Sequence, residues 1–330
     1  MTPLLTGERG RAILFLLLAN LFWGLSFPLI KAMLLLQQEL LPGVGGWFPL
    51  LFTIAPRFLL AVLILLALRP RESWRATPRE WKQGVILGLF AAGGMLFQND
   101  GLQYTSASTS AFLTQFYAIL IPVWIGWRAR RNPGARIWVC CGLVLAGVAI
   151  LGRFDPFDLL GAGGRELKFG RGEWETLLSS VFFMGQILVL EQREFAGNRA
   201  AKITFVMFVT EAVVFCGLAA AVAPDTSTLL VPLTSPAWLV FTLALCGICT
   251  IGAFSLMNAC QPKITATEAG LIYCIEPIFA SALALFLPGL MSGFAGIHYA
   301  NETATWALLI GGGLITAANV IAQQKPPARE

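Results

Sequence analysis

The sequence predicts an all-α integral membrane protein with ten transmembrane helices in two inverted five-helix repeats. Three observations carry that expectation. First, 57% of the 330 residues are hydrophobic and only 12% are charged, with a mean hydropathy of +0.73; a soluble domain is about 25% charged. Second, the apolar runs are close to 20 residues long, the length that crosses a bilayer core as a helix. They are continuous rather than alternating, which argues against a spanning barrel. Third, the longest polar break divides the runs five and five.

The runs fall at 12–32, 50–68, 83–99, 106–127, 137–152, 174–192, 203–223, 237–258, 266–287 and 304–323. The first is too long for an ordinary signal peptide and lacks a small-residue cleavage site, so it reads as a retained helix. Gly, Ser and Thr dilute the third to fifth. Gly84 and Gly88 in the third have the small-xxx-small spacing of close helix contact. The break, RFDPFDLLGAGGRELKFGRGEW, separates a first repeat at 1–152 from a second at 174–330 and leaves 153–173 as a linker. Five spans per half turn the second half over relative to the first. Such repeats place a binding site near the midplane between them. Residues 109–119, TSAFLTQFYAI, align with 267–277, TEAGLIYCIEP; similarity between any two apolar helices is the competing explanation.

Most of the 23 cations lie in alternate loops and at both ends of the chain, with Arg75, Arg79 and Lys82 before span three, Arg128 and Arg130 after span four, Arg193 and Arg199 before span seven, and Lys263 after span eight. The positive-inside rule then puts both termini in the cytoplasm, in a plasma membrane of the bacterial inner-membrane kind. These cations are loop anchors, with no aromatic interleaving or motif for nucleic acid. The seven cysteines lie in or beside spans, so no disulfide framework is expected. Cys246 and Cys249 have metal-like spacing but no second pair or nearby His, and no cofactor or metal is expected. The lone His298 and the sequon Asn301-Glu302-Thr303 lie in the last outer loop.

FWGLSFPLIK (22–31), APRFLLAVLIL (55–65), GLQYTSASTSAFLTQFY (101–117) and TEAGLIYCIEPIF (267–279) resemble, in order and spacing, the EamA-type transporters of the drug/metabolite transporter superfamily. The resemblance implies a ten-helix bundle of two inverted repeats around a central cavity, and export, less often uptake, of small metabolites such as amino acids. The chain departs from that pattern in two places. Trp127-Arg128 and Pro288-Gly289 stand where such proteins often carry Gly-Glu, and Ala118-Ile119 of the first repeat matches Glu276-Pro277 of the second.

Candidate residues are the polar groups the spans tolerate. A carboxyl near the bilayer centre costs at least about 2.5–3.5 kcal/mol on insertion scales, so it marks a functional site by default. Glu276, halfway along span nine, either binds a cation or takes up a proton; a protonated, hydrogen-bonded structural carboxyl is the alternative. Pro277 beside it removes a backbone donor and loosens the helix. Glu211 in span seven reads equally as functional or structural. Arg57 in span two pairs with Glu211 or Glu276, or meets a substrate carboxylate. Lys31 snorkels to the interface or joins the site. Glu268, near the cytoplasmic end, reads as a cap. Thr114 and Gln115 line a cavity or act as helix–helix glue. Gln115 aligns with Tyr273, and both face the cavity in the first reading. Trp23, with Phe27 one turn on, forms an aromatic wall or ordinary packing.

No Gly-rich loop with Lys-Ser/Thr is present, so ATP is not the direct energy source. The expectation is therefore a secondary transporter, an exporter of small polar metabolites working by alternating access and coupled to protons, with a small-molecule substrate and the bilayer as partners and the oligomeric state open. A flippase for a lipid-linked metabolite is the close alternative. A membrane-embedded transferase is the remote one. It lacks HExxH, HxxxxD and Gly-x-Ser-x-Gly, and the chain is expected not to be an enzyme.

Overall fold

The computed structural model describes residues 7–68, 75–130, 132, 134–151 and 170–323. Most of the expected linker thus lies outside the described residues. Among them every regular element is a helix. Three long helices come first: α1 Glu8–Leu40, α2 Phe48–Leu68 and α3 Pro78–Tyr104. α4 Ala107–Thr114 and α5 Tyr117–Arg128 form one span with a break, followed by α6 Ala135–Leu151 and α7 Arg171–Leu190. α8 Ala200–Val222 leads through the short α9 Thr226–Leu230 to α10 Pro236–Ala244. From α10 the chain passes through a π-helical segment, Leu245–Gly252, into α11 Ala253–Cys260. The last four are α12 Ala266–Tyr273, α13 Glu276–Ala284, α14 Leu287–Ala295 and α15 Trp306–Gln323.

Among the described residues six helical stretches are long and apolar enough to cross a membrane. The pair α13–α14, bent by 53°, makes a seventh if counted as one span. α6 and α15 are shorter apolar helices. The expected ninth run of 266–287 is thus two helices, α12 and α13, and α14 begins at its end and continues into the expected outer loop; Pro277 and Pro288 each sit in the first turn of a new helix, where a missing N–H is tolerated.

The ends of the helices follow local rules. Thr77 and Glu80 form a capping box with Pro78 opening α3, Ser106 caps α4, and Asp225 caps α9. α3 runs between α7 and α8, α2 lies along α8, α6 along α15, and α1 against α11, α12 and α13. Glycine permits the closest approaches. A Cβ on Gly84 would stand 2.5 Å from Val206 Cβ, and one on Gly88 2.7 Å from Thr210 Cβ. The small-xxx-small pair therefore does seat α3 on α8.

The polar side chains gather in two sets at opposite ends of α3, whose 27 residues span about 40 Å at 1.5 Å per residue. At one end Arg199 binds Glu80 (2.7 and 2.8 Å), Lys82 meets Glu194 at 2.5 Å, and Asn198 bonds Gln83. Lys263 meets Glu8 at 2.8 Å. At the other end Arg171 pairs with Asp100 and with Glu175, and Glu302 accepts from Ala107 N at 2.9 Å. Between them the outer flanks are apolar: Leu14, Leu63, Val213, Leu243 and Leu309 are all exposed. Exposed tryptophans such as Trp127, Trp138, Trp174 and Trp306 sit near helix ends, as interfacial aromatics do in membranes. The molecule is an integral membrane protein.

Candidate functional site

Where α1, α2, α3, α4–α5, α7, α11 and α12–α13 converge, they enclose a cavity of about 60 Å³. That is room for a few waters and well below the roughly 300–1,000 Å³ of a pocket for a drug-sized ligand. Five expected residues line it: Trp23, Arg57, Thr114, Tyr273 and Glu276. Arg57 and Glu276 are the charged residues of that lining.

Glu276 opens α13. The helix break before it comes at Cys274–Ile275, where the backbone tightens: Ile275 N donates to Ile272 O at 3.2 Å and Ile278 N to Ile275 O at 3.0 Å. Pro277 therefore does not kink a continuous helix; its lost N–H would have reached back to Tyr273. The first half tightens at the matching point. Phe116 N donates to Leu113 O and Ala118 N to Gln115 O, between α4 and α5. The two breaks meet where Gln115 Nε2 donates to Glu276 Oε2 at 3.3 Å. Both side chains are buried. Gly24 lets α1 come close here, since a Cβ on it would stand 2.8 Å from Phe279 Cβ and 3.3 Å from Glu276 O.

Trp23 forms the aromatic wall with partners other than Phe27 alone. Its ring is edge-on to Phe254 at 5.4 Å and to Tyr273 at 5.6 Å. Tyr273 Oη donates to Gln261 Oε1, and Gln261 Nε2 donates to Ile187 O, which ties α12 to α7. Thr114 Oγ1 accepts from Gln98 and donates to Ser110 O.

Arg57 is 3% exposed. Its Nη2 touches Met95 Sδ at 3.6 Å and its guanidinium lies 4.9 Å from the Phe58 ring, while Nε and Nη1 have no hydrogen-bond partner. The expected pairing with Glu211 or Glu276 is not made: no ion pair joins them among the described residues. Glu211 is fully buried outside the cavity lining, and neither carboxyl oxygen has a hydrogen-bond partner. Lys31 reaches the outer end of α3 and is not part of the cavity lining. Its Nζ donates to Leu102 O (2.6 Å), Gln103 O and Thr105 O, closing the C-terminus of α3. The Glu268 side chain lies outside the described residues.

Gln186 and Phe183 on α7 and Phe254 and Met257 on α11, none of them among the sequence candidates, also line the cavity. Gln186 was legible as a polar residue in an apolar run. The other three carry no local signal, because only the tertiary fold turns them inward.

Residues 10–153 match the EamA-like transporter family. A protein of Archaeoglobus fulgidus described as an uncharacterized transporter is 27% identical over 273 residues, covering 83% of this chain and 77% of its own. A solved crystal structure covers 95% of this chain and 97% of its own with a TM-score of 0.56 and 17% identity, a likeness of fold.

Proposed function

We propose that this chain, a transmembrane transporter of the EamA type, is a secondary transporter that exports small polar metabolites such as amino acids by alternating access, with Glu276 carrying the coupling proton. The observation that carries the reading is the placement of Glu276: a buried carboxyl at a helix break, lining the cavity, with one hydrogen bond, to Gln115. A carboxyl so placed, with no cation bonded to it, is able to take up and release a proton as movement opens it to water, and it sits beside the two breaks around which the helices move.

Ten spans in two inverted repeats are part of this proposal. Matching breaks in the fourth and ninth spans support it, and so does the pairing of elements. α7 lies on α3 as α1 lies on α11, and α1 lies on α13 as α7 lies on α4 and α5. Each such pair exchanges a helix of one half for its counterpart in the other, as a two-fold repeat requires. Both termini lie in the cytoplasm in this reading, because the end that holds Arg199, Lys82 and Lys263 is the cation-rich one.

The test is flux of an amino-acid and metabolite panel in proteoliposomes, with and without an imposed pH gradient. Glu276→Gln is expected to abolish gradient-driven flux while keeping counterflow exchange. Driven flux equal to wild type at normal folded yield removes Glu276 from coupling.

A further inference from the structure

Two buried, oppositely charged side chains lie near each other and do not touch. Arg57 on α2 has Nε and Nη1 without hydrogen-bond partners, and Glu211 on α8 has both carboxyl oxygens without them. The two helices pack along each other, and rings fix which face of α8 meets α2. Phe58 packs against Phe208 at 5.7 Å and Phe215 at 6.3 Å. Glu211 falls between them at helical spacing, so it is on the face turned to α2. Arg57 also lines the cavity, which Glu211 does not. A buried guanidinium and a buried carboxylate are each costly unless an opposite charge or hydrogen bonds answer them.

We infer that Arg57 is the anion-binding residue of the cavity, taking a carboxylate of the transported molecule, and that Glu211 is its competing counter-ion on the other half. A monoanion fits the charge present: the lining offers one cation, and Glu276 opposes a second negative charge. When the cavity is empty and the halves shift, Arg57 turns to Glu211; a carboxylate in the cavity takes Arg57 back. The inference rests on the transport reading for its role but not for its test.

The test is equilibrium binding in detergent, read as the thermal-unfolding midpoint of the full chain titrated with butyrate, against butylamine and chloride at equal ionic strength. Butyrate is expected to raise the midpoint more than either control, and Arg57→Met to abolish the difference. Glu211→Gln keeps the shape and removes the competitor, so the butyrate concentration for half the shift should fall by about tenfold, within the usual range of site-to-site coupling. An unchanged or weaker butyrate response in Glu211→Gln overturns the inference, as does a full response in Arg57→Met. Should Arg57→Met fold poorly, the double variant Arg57→Met/Glu211→Gln decides. Recovered folded yield supports the pair, and no recovery overturns it. Butyrate binding with this pattern but no flux of any solute would sink the transport reading and leave the anion site standing. Flux with no dependence of the midpoint on Arg57 would do the reverse.

Discussion

At the scale of single residues, polarity in an apolar run was the readable signal. Glu276, Arg57 and Thr114 stand out for that reason and Tyr273 through its alignment with Gln115; these four face one cavity, while Gln115 does not line it. Glu211 stood out equally and does not line it, because which face of a helix a residue occupies depends on the neighbour it packs against. Glycine carries information too, but only in retrospect. Gly24 reads as one small residue among many, yet it is where α1 passes closest to the start of α13. A methyl group there would meet Phe279 Cβ at 2.8 Å and Ala280 N at 3.0 Å, and these are the root of a side chain and a backbone atom, which cannot swing aside. Gly24→Ala should therefore destabilise the fold by about 1–3 kcal/mol, the usual cost of overpacking, and displace Glu276. A lowered unfolding midpoint together with impaired gradient-driven flux is the expected result. A wild-type midpoint would mean that α1 and α13 separate easily.

At the scale of elements, hydropathy located the helices well and their interruptions poorly. The break before Glu276 had a visible cause in Pro277. The break at Gln115–Phe116 has no proline beside it, and Pro122 lies within α5, so only the alignment of 109–119 with 267–277 hinted at it. The π-helical segment at Leu245–Gly252 had no sequence signal and brings Cys246 and Cys249 into the buried core. Proline at the start of α13 does little for stability, since the N–H it lacks is one a helix start leaves unpaired anyway. Its effect is to keep α12 and α13 apart. Pro277→Ala should restore a donor toward Tyr273, allow the two helices to join, and slow transport severalfold while the unfolding midpoint holds or rises by an amount worth about 1 kcal/mol. Flux and melting measured on the same preparation check this, and a fall in midpoint with unimpaired flux would show that the break is not needed for motion.

At the scale of the whole molecule, the alternating cation-rich loops foretold which segments would meet. Residues assigned to one side of the membrane bind each other and not those of the other side: Glu80 with Arg199 and Lys263 with Glu8 at one end, Asp100 with Arg171 and Lys31 with the end of α3 at the other. What the loops did not foretell is that both ends are tied in one structure around a small cavity. In the transport reading each tie is a gate, and loosening one should favour opening on its own side. Glu80→Gln weakens a carboxylate that accepts from the Arg199 side chain, Arg199 N and Thr77 N. Lys31→Met removes the ammonium that closes α3. Hydrogen bonds to charged groups are worth about 1.5–3 kcal/mol, and about 1–1.4 kcal/mol already shifts a two-state population five- to tenfold. The readout is a single cysteine at Gln186 in a background without the native seven, labelled by a membrane-impermeant thiol reagent from either side of oriented vesicles. Lys31→Met should speed labelling from outside by at least about fivefold, and Glu80→Gln from the cytoplasmic side. If both variants speed labelling from the same side, the assignment of gates is wrong; if the two sides are exchanged, the orientation drawn from the cations is wrong.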